Sequence, residues 1–210
     1  MKAQSGIFSQ EWTVGVNGGL TLSKISFNPK IPQNQLIQSV GGVTVRYISE
    51  KNFGLQAELN YALRGWDEKN DTIYLNRYRR QLAYLELPLM THLYFDLSKQ
   101  LRLVFNLGPQ IGYNLSEKNL IEPEIFESQH YQTYYEKPRI ENRFDYGIVF
   151  GGGLELRTGI GSFILDGRYY FGLSDIYKVE NKADMQRSSN QVLEFKVTYL
   201  APWGFFHKSR

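Results

Sequence analysis

Apolar and polar residues alternate one by one along eight stretches of the chain. The stretch from Phe53 to Trp66 is the clearest. Phe53, Leu55, Ala57, Leu59, Tyr61 and Leu63 share one parity; Gln56, Glu58, Asn60 and Arg64 share the other. Strand side chains change face at every residue, so this period marks a sheet with unlike surroundings on its two sides. The same period predicts strands over Trp12 to Ser23, Ile37 to Ile48, Gln81 to Phe95, Leu101 to Leu115, Arg143 to Leu156, Ser162 to Leu173 and Gln191 to Leu200. No segment of helical period competes with them.

Charge separates the two faces more sharply than apolarity does. One face of the strands holds Arg46, Glu58, Arg64, Glu86, Arg102, Asp145, Glu155, Asp166, Arg168, Glu194 and Lys196. The other holds no charge. A Lys or Arg facing lipid near the bilayer midplane costs roughly 2–4 kcal/mol, whereas inside a barrel it can meet an opposite charge. The eleven residues mix both signs, which fits an ion-pair network in a narrow lumen. Eight strands enclose just enough room for side chains. A filled interior is therefore expected, not an open diffusion pore.

The connections give an independent signal. In chain order they run long, short, long, short, long, short, long. The long ones fall near 24–36, 66–80, 116–142 and 174–190; the short ones are 49–52, 96–100 and 157–161. Outer-membrane barrels have short periplasmic turns and longer external loops. The chain thus reads as all-β, an eight-stranded antiparallel up-and-down transmembrane β-barrel with short periplasmic turns and long extracellular loops. The even strand number puts both termini in the periplasm of a Gram-negative cell. The expected layout is a segment over 1–11, the barrel over 12–206 and a tail over 207–210. The competing architecture is a lipocalin-like soluble calyx, with the apolar face turned inward. Loop sorting and the aromatic load of the apolar face disfavour it, and the order Trp12-Thr13-Val14-Gly15 differs from the Gly-X-Trp that lipocalins tend to carry.

Composition refines this picture without changing it. Mean hydropathy is −0.40, but alternation hides a lipid-facing surface inside a polar average. No run approaches the roughly 18 apolar residues of a membrane helix. Aromatics make up 15% of the 210 residues, and barrels place such residues in girdles at the membrane interfaces. The chain has no cysteine, which excludes disulfides and thiolate metal sites. A net charge of +3 is too small to imply nucleic acid. Met1 to Ser5 lacks the apolar core of a signal peptide, and Ala3-Gln4 reads as the end of a cleavage site in a mature chain; the plainer alternative is a cytosolic protein that never carried one. Trp203, Phe205 and Phe206 fit an aromatic final strand, slightly overshot by His207 to Arg210.

Pro88 and Pro109 fall inside two strands joined by a tight turn. Proline cannot donate to a ladder, and a closed barrel has no free edge, so a bulge or kink is expected in that hairpin. The same segments carry a family resemblance. Tyr84-Leu85-Glu86-Leu87-Pro88-Leu89 followed by Asn106-Leu107-Gly108-Pro109-Gln110-Ile111-Gly112 resembles the PorT-like outer-membrane β-barrels of Bacteroidetes. Gly15 to Gly19, Glu58 to Gly65, and Gly147 to Leu156 with Gly151-Gly152-Gly153 are similar to that family too. The resemblance covers essentially the whole barrel. It implies the barrel fold and an outer-membrane location. The family's namesake takes part in type IX protein secretion, and many relatives are small barrels of unassigned role.

Candidate chemistry is sparse. His92, His130 and His207 are scattered, with no metal-ligand spacing, so no metal site is expected. His92 with Glu86 could form a base–carboxylate pair of an outer-membrane enzyme; the plainer reading is a lumen residue satisfied by Tyr or Glu neighbours. Gly151-Gly152-Gly153 lies mid-strand and reads as close packing or bending, not as a phosphate loop. No catalytic residue and no cofactor is expected, and the chain reads as non-enzymatic.

The stretch 116–142 is the best candidate for partner contact. It holds Tyr131, Tyr134 and Tyr135 as anchors for an envelope protein or a glycan, with Glu117, Glu122, Glu124 and Glu127. Arg77, Arg79 and Arg80 near the outer rim are positioned for lipopolysaccharide phosphates, or simply form a charged rim. Outer-membrane lipid and lipopolysaccharide are the expected surroundings. The function classes left are a structural or partner-binding barrel, including a secretion accessory; an outer-membrane enzyme; and a soluble ligand-binding calyx.

Overall fold

The computed structural model describes residues 10–28, 33–68, 77–122, 140–177 and 187–202. Eight long strands follow one another: β1 (Glu11–Asn28), β2 (Leu36–Glu50), β3 (Phe53–Glu68), β4 (Arg77–Asp96), β5 (Leu101–Glu122), β6 (Phe144–Thr158), β7 (Gly161–Gly172) and β8 (Arg187–Pro202). A two-residue stub, Gln33–Asn34, precedes β2 and pairs with Glu68 and Asp67 of β3. Each strand pairs antiparallel with the next. β8 closes on β1, from Thr13↔Pro202 to Asn28↔Arg187. The result is a closed, eight-stranded, up-and-down barrel. Among the described residues no helix is long and apolar enough to cross a membrane.

The parity read from the sequence decides which side chains line the wall. On β8, Phe195 and Val197 are 51% and 54% exposed, while their neighbours Lys196 and Thr198 are 0% exposed. The outward face repeats this pattern around the barrel with Trp12, Val16, Leu20, Val43, Leu55, Leu59, Leu89, Leu107, Ile148 and Leu165. Aromatics gather at both ends of that face. Trp12 stacks on Tyr47 at 4.6 Å between centroids and Phe163 on Tyr199 at 5.1 Å near the tight turns. Tyr61, Tyr113, Phe144 and Tyr146 lie toward the other end. This is the girdle arrangement of a lipid-facing band.

The strands outrun their expected limits. β4 and β5 have 20 and 22 residues and stay paired out to Arg77↔Glu122. About ten residues cross the hydrocarbon layer, so roughly half of this hairpin stands clear of it. The long connections are correspondingly shorter than the alternation suggested. Beyond the lipid an outward residue has no reason to be apolar, and Lys24, Ser116 and Lys118 are exposed there. The period-two signal fades where the ladder continues.

The prolines interrupt pairing without shifting it. Between β3 and β4 the partners skip from Ala57↔Leu89 to Asn60↔Glu86, and between β4 and β5 from Pro88↔Gln110 to Thr91↔Leu107. The register is the same on both sides of each gap. The hairpin does carry the expected bulge, at Ala83/Tyr84, where Leu115 is the extra residue opposite. Missing N–H groups therefore cost local ladder bonds here without shifting the register.

Candidate functional site: the filled lumen

The inward face forms a stack of layers from the tight-turn end to the long-connection end. At the turn end Ile48, Tyr94, Val104, Ile164 and Leu200 make an apolar plug. Above it Arg46 donates to Glu155 at 2.8 Å. Arg102 lies 3.8 Å from the same carboxylate and 2.7 Å from Asp96, with its guanidinium over the Tyr94 ring at 4.2 Å.

The middle layer centres on Glu58. Arg168 donates to one of its oxygens at 2.8 Å and Lys196 to the other at 2.6 Å. Gln56 and Asn60 donate to the same two oxygens at 2.7 and 3.0 Å. Arg168 also pairs with Asp166. Two glycines of β6 make room for this layer: a Cβ on Gly151 would lie 2.8 Å from Arg168 Cγ, and one on Gly153 2.7 Å from Asp166 Cβ.

A third layer centres on Arg64. Its Nε lies 2.7 Å from Glu86, its Nη1 donates to Asp145 at 3.3 Å, and Glu194 is 4.0 Å away. The guanidinium sits 4.4 Å from the Tyr170 ring centre and 5.4 Å from that of Tyr84, a cation–π setting for a buried cation. Gln110 donates to Glu86 and Asn190 to Asp145, at 3.1 and 3.0 Å.

The long-connection end is closed by residues from outside the strands. Ser174 donates to Asp145. Asn142 donates from its backbone N–H to Ile176 O at 3.1 Å and from Nδ2 to Asp175 O at 2.8 Å. Ile140, Ile176 and Tyr177 bury themselves with Ile25, Trp66, Leu82 and Tyr84. Arg80 belongs to this cap. It pairs with Glu117, donates to Tyr177 Oη at 3.0 Å and lies over Trp66 at 5.7 Å.

All eleven charges singled out in the sequence are thus buried in the lumen. They are five cations and six carboxylates, drawn from seven of the eight strands, and their ion pairs cross the barrel at three levels. Such pairs need near-complete hydrogen bonding to offset the loss of water, and the Asn and Gln side chains around them help to supply it.

Two expectations are corrected, at Arg80 and Glu117. Arg80 does not lie on the outer rim; it is buried in the cap, because it shares parity with Leu82 and Tyr84. Arg79 is part-exposed and lies 3.6 Å from Asp67, and the Arg77 side chain lies outside the described residues. Glu117 is not a loop residue but part of β5. His92 and Glu86 are not brought together as a base–carboxylate pair. His92 Nδ1 meets Asn106 Oδ1 at 2.8 Å and Nε2 meets Arg46 at 3.4 Å. Arginine can only donate, so Nε2 accepts and the proton sits on Nδ1. The ring has no lone pair free for base chemistry. Tyr131, Tyr134, Tyr135, Glu124, Glu127, His130, His207, Trp203, Phe205 and Phe206 lie outside the described residues, as does the side chain of Glu122.

The sequence reading missed Trp66, Arg80, Ser174, Ile176 and Tyr177 as lumen residues. Parity carried the first two, since Trp66 follows Arg64 and Arg80 precedes Leu82 on the inner face. Nothing local marked the others, which fold inward from a connection. Among the described residues no group of His, Asp and Glu side chains forms a metal cluster.

No curated protein matches the chain. Solved structures similar to it include the outer membrane protein OprG of Pseudomonas aeruginosa, at 10% identity over 91% of this chain and 93% of that one, with a TM-score of 0.49. Others are the attachment invasion locus protein Ail of Yersinia pestis, at 12% over 90% and 99% with 0.42, and outer membrane protein W of E. coli, at 15% over 92% and 98% with 0.40. A family model described as the outer membrane protein beta-barrel domain matches residues 3–178. With an uncharged outer wall, a closed ladder and a charged interior already in place, that match identifies the chain as a member of the outer membrane protein beta-barrel family.

Proposed function

We propose that this protein is a sealed outer-membrane barrel that serves as a structural or partner-binding component, not as an enzyme or a pore. The observation that carries the reading is the three-level set of ion pairs spanning the lumen, Arg46–Glu155, Glu58–Arg168–Lys196 and Arg64–Glu86–Asp145, closed at both ends by apolar layers. Solutes have no route through such an interior, and His92 within it has both nitrogens engaged. Partner contact then falls to the long-connection end, where the far ends of β4 and β5 project, with the stretch 116–142 proposed from its sequence. The resemblance to PorT-like barrels of Bacteroidetes favours an accessory role in type IX-like protein secretion as the specific version.

Both termini are periplasmic in this reading. It is supported by the start of β1 and the end of β8 lying at the same end as the three tight turns, since short turns face the periplasm in this class. Lys24 and Lys118, exposed outside the apolar band at the opposite end, then meet lipopolysaccharide phosphates.

Planar-bilayer recording tests the seal: the purified barrel should insert without discrete conductance steps, and steady channels would overturn it. Crosslinking in intact outer membranes tests the partner role, with a specific envelope protein captured from the long-connection end. Recovery of the chain uncrosslinked under all conditions would count against it. For orientation, a cysteine at Gly159, in the β6–β7 turn, should react with an impermeant maleimide only after the outer membrane is opened. Labelling on intact cells would invert the topology.

A further inference from the structure

The lipid-facing wall is not smooth. Two apolar grooves are cut into it side by side across β1 to β6. One, of about 540 Å³, is walled by Trp12, Tyr47, Leu55 and Leu89 and floored by the small residues Ala57 and Gly108 with Pro109. The other, of about 590 Å³, runs between Phe105 and Phe150 over Gly151 and Gly152. They share Thr91 and Leu107. The register explains the pair. Tyr47, Leu55, Thr91, Leu107 and Phe150 are successive cross-strand partners in one outward row. Threonine is the short member of that row, and Leu107, 55% exposed, stands as a ridge between the hollows.

We propose that these grooves seat the two acyl chains of one phospholipid, astride Leu107. Each hollow falls within the size range of small-ligand sites. The position in the lipid-facing band makes a hydrocarbon chain the adjoining medium, continuous with the bilayer already in contact with the wall. A second barrel would present a convex wall, which touches a convex neighbour along a ridge and cannot fill an indentation. The only polar side chain at the junction, Thr91, spends its hydroxyl on Leu107 O at 2.9 Å, so the seat selects for hydrocarbon shape and not for a headgroup at that depth. Trp12 and Tyr47, at the tight-turn girdle, mark the headgroup end. A phospholipid of the periplasmic leaflet, as opposed to lipopolysaccharide, follows from the proposed orientation.

Trp12 is a native reporter of the first groove. The protein is held in dodecylmaltoside micelles, whose single chains cannot span both grooves, and titrated with a phospholipid carrying brominated acyl chains, which quench tryptophan on contact. The Trp12 signal is isolated as the difference from Trp12→Phe. The comparison site is Leu165→Trp in the Trp12→Phe background, on a bare part of the wall (Leu165 is 63% exposed). The expected result is a steep, saturating curve at Trp12, with about fivefold enrichment of lipid over the comparison site. Ala57→Phe, an outward change that fills the groove, should return Trp12 to the bulk curve. Identical curves at both sites, or no effect of Ala57→Phe, would overturn the proposal. So would quenching at Trp12 below the bulk curve, which would mean that another protein surface covers the groove. The micelle assay does not depend on which end faces the periplasm, so the groove and the orientation fail separately.

Discussion

Lys196 of β8 reaches across the barrel to Glu58 of β3, with Nζ 2.6 Å from Oε2 and both side chains 0% exposed. These strands are not neighbours in the sheet. The contact is a strut through the lumen, and Arg168 adds a second strut to the other oxygen. Removing one partner of a buried pair leaves the other charge without compensation, which costs about 3–5 kcal/mol. Glu58→Gln should therefore lose stability on that scale. In a double-mutant cycle, Glu58→Gln with Lys196→Met should cost clearly less than the two single changes added together. Urea unfolding in detergent micelles measures all three, and strict additivity would show that the strut is not a coupled unit.

Space in the lumen is set by glycine as much as by charge. A Cβ on Gly151 would fall 2.2 Å from Gly167 O and 2.8 Å from Arg168 Cγ. Gly151→Val should thus destabilise by about 1–3 kcal/mol or prevent assembly. Gly159, in the β6–β7 turn, has nothing within 4 Å of the same position, and Gly159→Ala should stay within about 0.5 kcal/mol of the parent. Heat-modifiable gel migration reads folding in both. Equal behaviour of the two variants would remove the crowding argument.

The two faces of one strand should respond oppositely to charge. Val197→Lys puts an ammonium into the lipid band one residue from Lys196, which is native in the lumen. A cost of roughly 2–4 kcal/mol is expected near the midplane. Refolding into vesicles followed by denaturant titration gives the value. A neutral outcome would place Val197 outside the hydrocarbon.

His92 offers a spectroscopic check. With Arg46 donating to Nε2 and Asn106 accepting from Nδ1, nitrogen NMR should find the neutral ring protonated on Nδ1. A proton on Nε2 would require Arg46 to point elsewhere and would reopen the base role.

Face assignment was legible from the chain because its physical cause is local. A residue that would leave a charge in lipid is excluded from every other position, so parity alone sorts Phe195 and Val197 from Lys196. Strand number and the sorting of connections were legible for the same reason. Strand length was not. Beyond the lipid, Lys24 and Lys118 face water, the selection for apolar residues lapses, and only the paired neighbour holds Arg77–Gln81 and Lys118–Glu122 in a ladder. Arg80 was misplaced on the rim by that loss of signal.

The lumen shows the same division. Which charges point inward is a property of each strand read by itself. Which charge meets which is not, since Arg64 of β3 finds Asp145 of β6, and Arg46 of β2 finds Glu155 of β6, across a distance set by closure of the sheet. The sequence by itself determined that there are two faces and what kind of medium each tolerates. Only the tertiary structure decided the pairing of the charges, the inward fold of Ser174 to Tyr177 and the paired grooves in the outer wall, because each depends on strands brought together from distant parts of the chain.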